Sequence, residues 1–147
     1  MTAFVSRNPD FEADVRRRFA ASPVCGFFGF EVEEVTAGAI TLALPVKPEF
    51  GHAPGFFQGT IIGAVAEYAG SYAAYTLIPA DWSRLTLDYT LKFLAPARGE
   101  RLIGRGRVLS HGNSLSNCAA DLFVVRDGEE HLCATALVTV RHTPPRP

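Results

Sequence analysis

The chain has 147 residues, 48% of them apolar and 20% charged, with a formal net charge of −1. That balance fits one globular domain with a sizeable core. It also gives no whole-protein electrostatic ground for binding nucleic acid or an anionic membrane surface. Cys25, Cys118 and Cys133 form an odd set without a C-x-x-C pair, which argues against a disulfide framework or a Cys-rich zinc site and makes a reducing cytoplasm the expectation.

From the N-terminus, residues 1–7 lack the basic-then-apolar pattern of a secretory signal. Asn8-Pro9-Asp10 supplies a cap, a first-turn proline and an acid for a helix that runs on through Phe19, and Ser22-Pro23 is expected to end it. A strand is expected near Phe30 to Val35, a turn at Ala37-Gly38, and a second strand where Ile40, Leu42, Leu44 and Val46 alternate, which together read as a hairpin. A long helix follows from the glycine-bearing turn at Gly55 to Tyr75. It is lined by Ala, Ile, Val and Tyr, and Glu67 is its only charge. The same charge, with Gly63, Gly70 and the tyrosines, argues against a membrane span over Ile61 to Leu77.

After a loop at Ile78 to Asp81, four strands follow with no further helix. Leu85, Leu87, Tyr89, Leu91 and Phe93 alternate with polar residues, which predicts one amphipathic strand up to Ala95-Pro96. The next two run Arg101 to Leu109 and Leu115 to Val125, and Asp127-Gly128 turns the chain into the last, His131 to Arg141. No repeat or second domain is evident. A helix apolar on all sides needs a sheet wrapped around it, and six twisted strands suffice. The order therefore resembles an α+β hotdog fold, a six-stranded antiparallel sheet around a long central helix. One domain is expected over 1–147, with its core at about 27–141, residues 1–26 as N-terminal helix and lead-in, and 143–147 as a frayed tail.

The chemistry concentrates on that helix. Its first turn leaves backbone N–H groups unpaired, able to hold an anion or a developing oxyanion, and Gly59 lets a ligand carbonyl approach them closely. Glu67, on an otherwise apolar helix, must find partners or stay protonated, and as a carboxylate it suits a general base or nucleophile. Packing glycines and a structurally satisfied carboxylate are the plain alternatives. Eight residues at about 1.5 Å each separate Gly59 from Glu67 by roughly 12 Å. Both can act on one substrate only if they come from two copies of the helix, which predicts a site across a dimer interface.

The segment His52-Ala53-Pro54-Gly55-Phe56-Phe57-Gln58-Gly59-Thr60, with its acid at Glu67, resembles the signature of the hotdog acyl-CoA thioesterases of the phenylacetic acid degradation type. The resemblance spans roughly Phe27 to Arg141. It implies that the Gly59 N–H takes the thioester carbonyl, that Glu67 activates or delivers the attack, and that the hydroxyl of Thr86, ten residues before Pro96, helps to position the water. This chain departs from the pattern at Gln58, where many relatives have His, at His52, where many have Asn, at Thr60, which replaces a glycine, and at Glu67, which replaces the more frequent Asp. Gln58 can still donate and accept hydrogen bonds, so it is expected to shape the loop with His52.

His52, Gly55, Phe57, Thr60 and Tyr68 are the expected substrate contacts, although core packing explains most of the aromatic side chains. Arg98, Arg105 and Arg107 are candidates for the phosphates of coenzyme A, and the turn at His111-Gly112 lies where such relatives often hold the nucleotide. Four scattered histidines show no ligand spacing, so no metal is expected, and coenzyme A enters as substrate with no separate cofactor. The expectation is a cytoplasmic acyl-CoA thioesterase, a homodimer or homotetramer without nucleic-acid or membrane partners. A hotdog hydratase or dehydratase and a non-catalytic acyl-CoA binding protein are the alternatives.

Overall fold

The computed structural model describes residues 3–147. Two helices, α1 (Phe11–Ala21) and α2 (Pro23–Phe28), precede the hairpin β1 (Glu31–Thr36) and β2 (Ala39–Pro45). A short 3-10 turn at Pro48–Phe50 leads to the long helix α3 (Gly59–Tyr75), and β3 (Ser83–Phe93), β4 (Arg101–His111), β5 (Leu115–Arg126) and β6 (Glu129–Thr143) complete the chain. The six strands form one antiparallel sheet in the order β1-β2-β4-β5-β6-β3. This is the expected hotdog arrangement, with β1 and β3 as the two edges. No helix among the described residues is long and apolar enough to cross a membrane.

Helix α3 lies against the inner face of the sheet. Leu42 and Leu44 of β2, Leu102 of β4, Leu122 and Val124 of β5, and Val138 and Val140 of β6 close over Val65, Ala66, Ala69 and Ala73, all of them essentially inaccessible. Each fully buried Leu or Val of that layer contributes about 1.5–3 kcal/mol. The approach is closest at β4, where a Cβ on Gly106 would stand 2.0 Å from the Ala69 carbonyl oxygen. Only glycine admits the helix backbone there.

Two local readings are corrected. Ser22-Pro23 does not stop helical structure: Ser22 Oγ accepts the Cys25 N–H at 3.3 Å, Pro23 takes the first position, and α2 starts at once, ending at Gly29 with φ +82°. The same two residues that terminate α1 are good start signals for the next helix. In β3 the alternation of Leu85, Leu87, Tyr89, Leu91 and Phe93 does not lie on one face. Thr86 pairs with Val140 and Asp88 with Thr139, so Leu87 is an extra residue in a β-bulge. The register change turns Arg84 and Thr86 inward together with Tyr89, Leu91 and Phe93, opposite the buried Val140, Val138, Ala136 and Ala134. Leu85 and Leu87 point outward, 58% and 51% exposed.

Candidate active site

The entry loop of α3 is pinned on two sides. Phe57 N–H donates to the Ala97 carbonyl (2.8 Å) and Gln58 N–H to the Phe50 carbonyl (2.7 Å), while the Gln58 carbonyl accepts from Ile61 (2.9 Å) and Ile62 (3.1 Å). The Gln58 side chain does not cap the helix. The Gly59 and Thr60 N–H groups therefore have no protein acceptor among the described residues and stand at the positive end of a 17-residue helix. A groove of about 540 Å³ opens beside them, walled by His52, Phe56, Ile62, Phe93 and Pro96. The Phe93 ring covers the first turn so closely that a Cβ on Gly59 would stand 2.9 Å from its tip. Gln58 Oε1 and His52 Nδ1, both exposed, are hydrogen-bonded at 3.1 Å, so the two loop positions expected to act together are in contact.

Glu67 sits two turns further along, and its surroundings differ from those expected. The helix is not sealed all round: Thr60, Ile61, Ala64, Glu67 and Tyr68 are exposed or half-buried, and from Ala69 to Tyr75 every residue is buried. The spacing of 60, 64 and 67 draws an open stripe down the first half of α3. Glu67 is the last polar residue on it. Thr86 Oγ1 donates a short hydrogen bond to Glu67 Oε1. The bulge at Leu87 makes this contact compatible with the inward-facing Tyr89, Leu91 and Phe93, since Thr86 lies an odd number of residues from each of them.

The remaining expected contacts divide. Gly55, at φ +78°, turns the loop and holds the Gly99 N–H on its carbonyl at 2.9 Å, and Phe56 is bridged to Arg98, whose guanidinium lies 5.7 Å from the Phe56 ring. Thr60 is exposed at the helix start, and Phe57 is buried, with one edge on the groove. Tyr68 turns away from β3 toward the N-terminal helices, 4.9 Å from the Phe30 ring and 5.9 Å from Phe19. There burial, with Cys25 beside it, pushes its phenol up to about 12. It belongs to an aromatic cluster that roofs the helix rather than to the Gly59–Glu67 line.

Of the residues expected to hold coenzyme A, Arg98 alone lies beside this loop. Arg105 and Arg107 alternate with Gly104 and Gly106, which face α3, so their side chains lie on the opposite side of the sheet. Arg105 is bidentate with Glu130 (2.6 and 2.7 Å), and Arg107 bonds Asp121 at 2.7 Å. His111 and Gly112 stand at the far end of β4. There Ser116 Oγ bridges His111 Nδ1 (2.8 Å) and His142 Nε2 (2.9 Å), and the Gly112 N–H closes the turn on the Leu115 carbonyl.

Comparison with known proteins identifies the family. A family model described as the thioesterase superfamily matches residues 55–134, the span from the entry loop of α3 into β6. The crystal structure of a thioesterase family protein from Silicibacter pomeroyi is 30% identical with a TM-score of 0.88, covering 92% of this chain and 99% of that one. A Ralstonia eutropha structure described as a phenylacetic acid degradation-related protein is 27% identical with a TM-score of 0.73, covering 86% and 97%. A Saccharolobus solfataricus protein bearing an esterase name is 28% identical over 127 residues, 86% of this chain and 82% of that protein. The chain belongs to the thioesterase superfamily and is a thioester hydrolase.

Proposed function

We propose that the protein hydrolyses the thioester of a small or medium acyl or aryl-acyl coenzyme A to the free acid and CoA, in a site built by two copies of the chain. The observation that carries this reading is the Thr86 to Glu67 hydrogen bond on the open stripe of α3, on the same helix as the unpaired amides of Gly59 and Thr60. A general base needs a fixed orientation and an open side toward substrate. Thr86 supplies the first, and the stripe supplies the second. The likeness to a phenylacetic acid degradation-related structure supports the aryl-acyl end of the substrate range.

Two copies are needed because roughly 12 Å of helix separates the oxyanion donor from the base. The surface that would join them is present. β3 is an 11-residue edge strand with an unpaired outer edge, and Leu85 and Leu87 on it are 58% and 51% exposed. Monomeric proteins cover or charge such an edge. With the open stripe of α3 beside it, β3 suits a second copy related by a twofold axis, which sets Gly59 of the partner subunit against Glu67.

In that arrangement the Gly59 N–H of one copy takes the thioester carbonyl oxygen, and Glu67 of the other removes a proton from water as the water attacks the carbonyl carbon. Thr86 holds the carboxylate, while Gln58 and His52 fix the loop. A hydratase reading lacks a histidine on α3 to serve as its second acid or base. The test is thiol release from a panel of aliphatic and aryl-acyl CoA thioesters. Turnover on part of the panel is expected, whereas saturable binding without thiol release would make the protein a binding module.

A further inference from the structure

We propose that Tyr89 is a further catalytic residue, donating a hydrogen bond to the sulfur of the departing thiolate; this rests on the two-copy hydrolase reading above. The bulge at Leu87 turns Tyr89 onto the inner face of β3, where its hydroxyl lies over Gly63, 3.2 Å from where a Cβ of that residue would stand. Gly63 is one turn before Glu67, about 6 Å along the axis, so the Tyr89 hydroxyl and the carboxylate that Thr86 holds stand on neighbouring turns of α3. Along one line of α3 the structure thus sets Phe93 over Gly59, the Tyr89 hydroxyl over Gly63 and Thr86 on Glu67.

Tyr89 has the properties of a group kept for a ligand. It is 44% exposed on an edge strand, and its hydroxyl donates to no protein group among the described residues. A Cβ at Gly63 would push this hydroxyl aside by a few tenths of an ångström, so glycine there leaves the polar tip seated on the helix.

The role follows from matching donors to charges. In hydrolysis by water three sites change: the carbonyl oxygen gains charge, the attacking water loses a proton, and the sulfur takes up the electron pair of the breaking C–S bond. The Gly59 N–H serves the oxygen, and Glu67 with Thr86 serves the water. The sulfur is left, and Tyr89, whose hydroxyl lies over Gly63 between the Gly59 amide and Glu67, is an unassigned donor at the middle of that line. As the tetrahedral intermediate collapses, the C–S electron pair moves to sulfur and the phenol hydrogen-bonds the forming thiolate, keeping its own proton. The proton that Glu67 took from water then passes to the sulfur, so thioester and water give acid and thiol, and every group returns to its starting state.

Tyr89→Phe tests this with two thioesters of one acyl group, one releasing an alkyl thiol such as CoA and the other a thiophenol, whose thiolate needs little help. The expected result is a kcat loss of about tenfold or more with the alkyl thiol, the scale of a lost hydrogen bond to a developing charge, and a much smaller loss with the thiophenol. The ratio of the two is measured on one preparation, so any unfolded fraction cancels. Equal losses on both leaving groups, or none on either, overturn the proposal while leaving the hydrolase reading in place. If the wild type releases no thiol above the uncatalysed rate from either thioester, the hydrolase reading itself fails.

Discussion

If Gly59 and Glu67 act on one substrate from two chains, two inactive proteins should restore activity when their subunits exchange. Gly59→Leu places a branched side chain where a single Cβ already meets the Phe93 ring at 2.9 Å, filling the groove over the free amides. Glu67→Gln removes the base and keeps the shape. Each homodimer then has two broken sites. In a mixed dimer one site holds both lesions, and the other holds an intact Gly59 and an intact Glu67. Random exchange of equal amounts makes about half of all dimers mixed, each with one working site of two, so activity per protomer should reach about a quarter of wild type.

The assay is thiol release on the best substrate of the acyl-CoA panel, read before and after exchange. Native mass spectrometry counts the mixed dimers, and size-exclusion chromatography checks that the Gly59→Leu protein still assembles. The signal is wide, since the unmixed proteins are expected at or below about one per cent of wild type. Full exchange with activity still at that background would refute the shared site, because a site using both residues of one chain has a lesion in every copy.

Glu67→Gln alone should lower kcat by at least about a hundredfold with the fold intact and a thermal midpoint at or above that of wild type, since its loss removes a half-buried charge; near-normal turnover would take Glu67 out of the mechanism. Thr86→Ala should reduce kcat more than it raises KM, because it frees the carboxylate that Thr86 holds, whereas Thr86→Ser should be nearly silent; equal damage in both would assign the role to the methyl group. Stability should fall as pH drops through the ordinary histidine value of 6.5, because burial, with Arg7 nearby, holds His111 and His142 below it, so the unfolded chain takes up protons that the folded chain resists. Denaturant midpoints between about pH 7 and pH 5.5 measure this, and the slope should shrink when both histidines are replaced by Asn; a wild-type midpoint that is flat over that range would contradict it.

The parts of this fold that the sequence makes legible are those set by local pattern. An apolar run opened by glycines and carrying a single acid is readable as a central helix, and its start at Gly59 and end at Tyr75 follow from the same residues. The fold class follows because four strand segments without a helix leave few compact arrangements, while the place of β3 at the far edge, beside β6, is set by pairing that the sequence does not mark. What escaped the reading depends on partners distant in the chain. Nothing in Leu85-Thr86-Leu87-Asp88-Tyr89 marks Leu87 as the extra residue, since only the register against β6 creates the bulge. Arg105 and Arg107 read as free cations until Glu130 and Asp121, 25 and 14 residues away, are brought beside them. Ser22-Pro23 was ambiguous for a different reason, because one pair of residues can both close a helix and open another.

The position of Glu67 on α3 is itself constrained by two opposing demands. Toward the N-terminus the helix offers free amides and an open face, but a carboxylate in the first turn would compete with the substrate for the Gly59 and Thr60 N–H groups. From Ala69 onward the sheet and the aromatic cluster close over every residue, and a carboxylate there would be buried without access to water. The interval between contains the stripe of Ala64 and Glu67, and of its residues Glu67 is the one that the inward-turned Thr86 holds by a hydrogen bond. One chain therefore presents the free amides of Gly59 and Thr60 and the carboxylate of Glu67, the oxyanion donors and base of the proposed mechanism, two turns apart on a common open face. A twofold partner laid antiparallel along that face would bring each donor to the other chain's base, so the separation that disables one helix fits a pair.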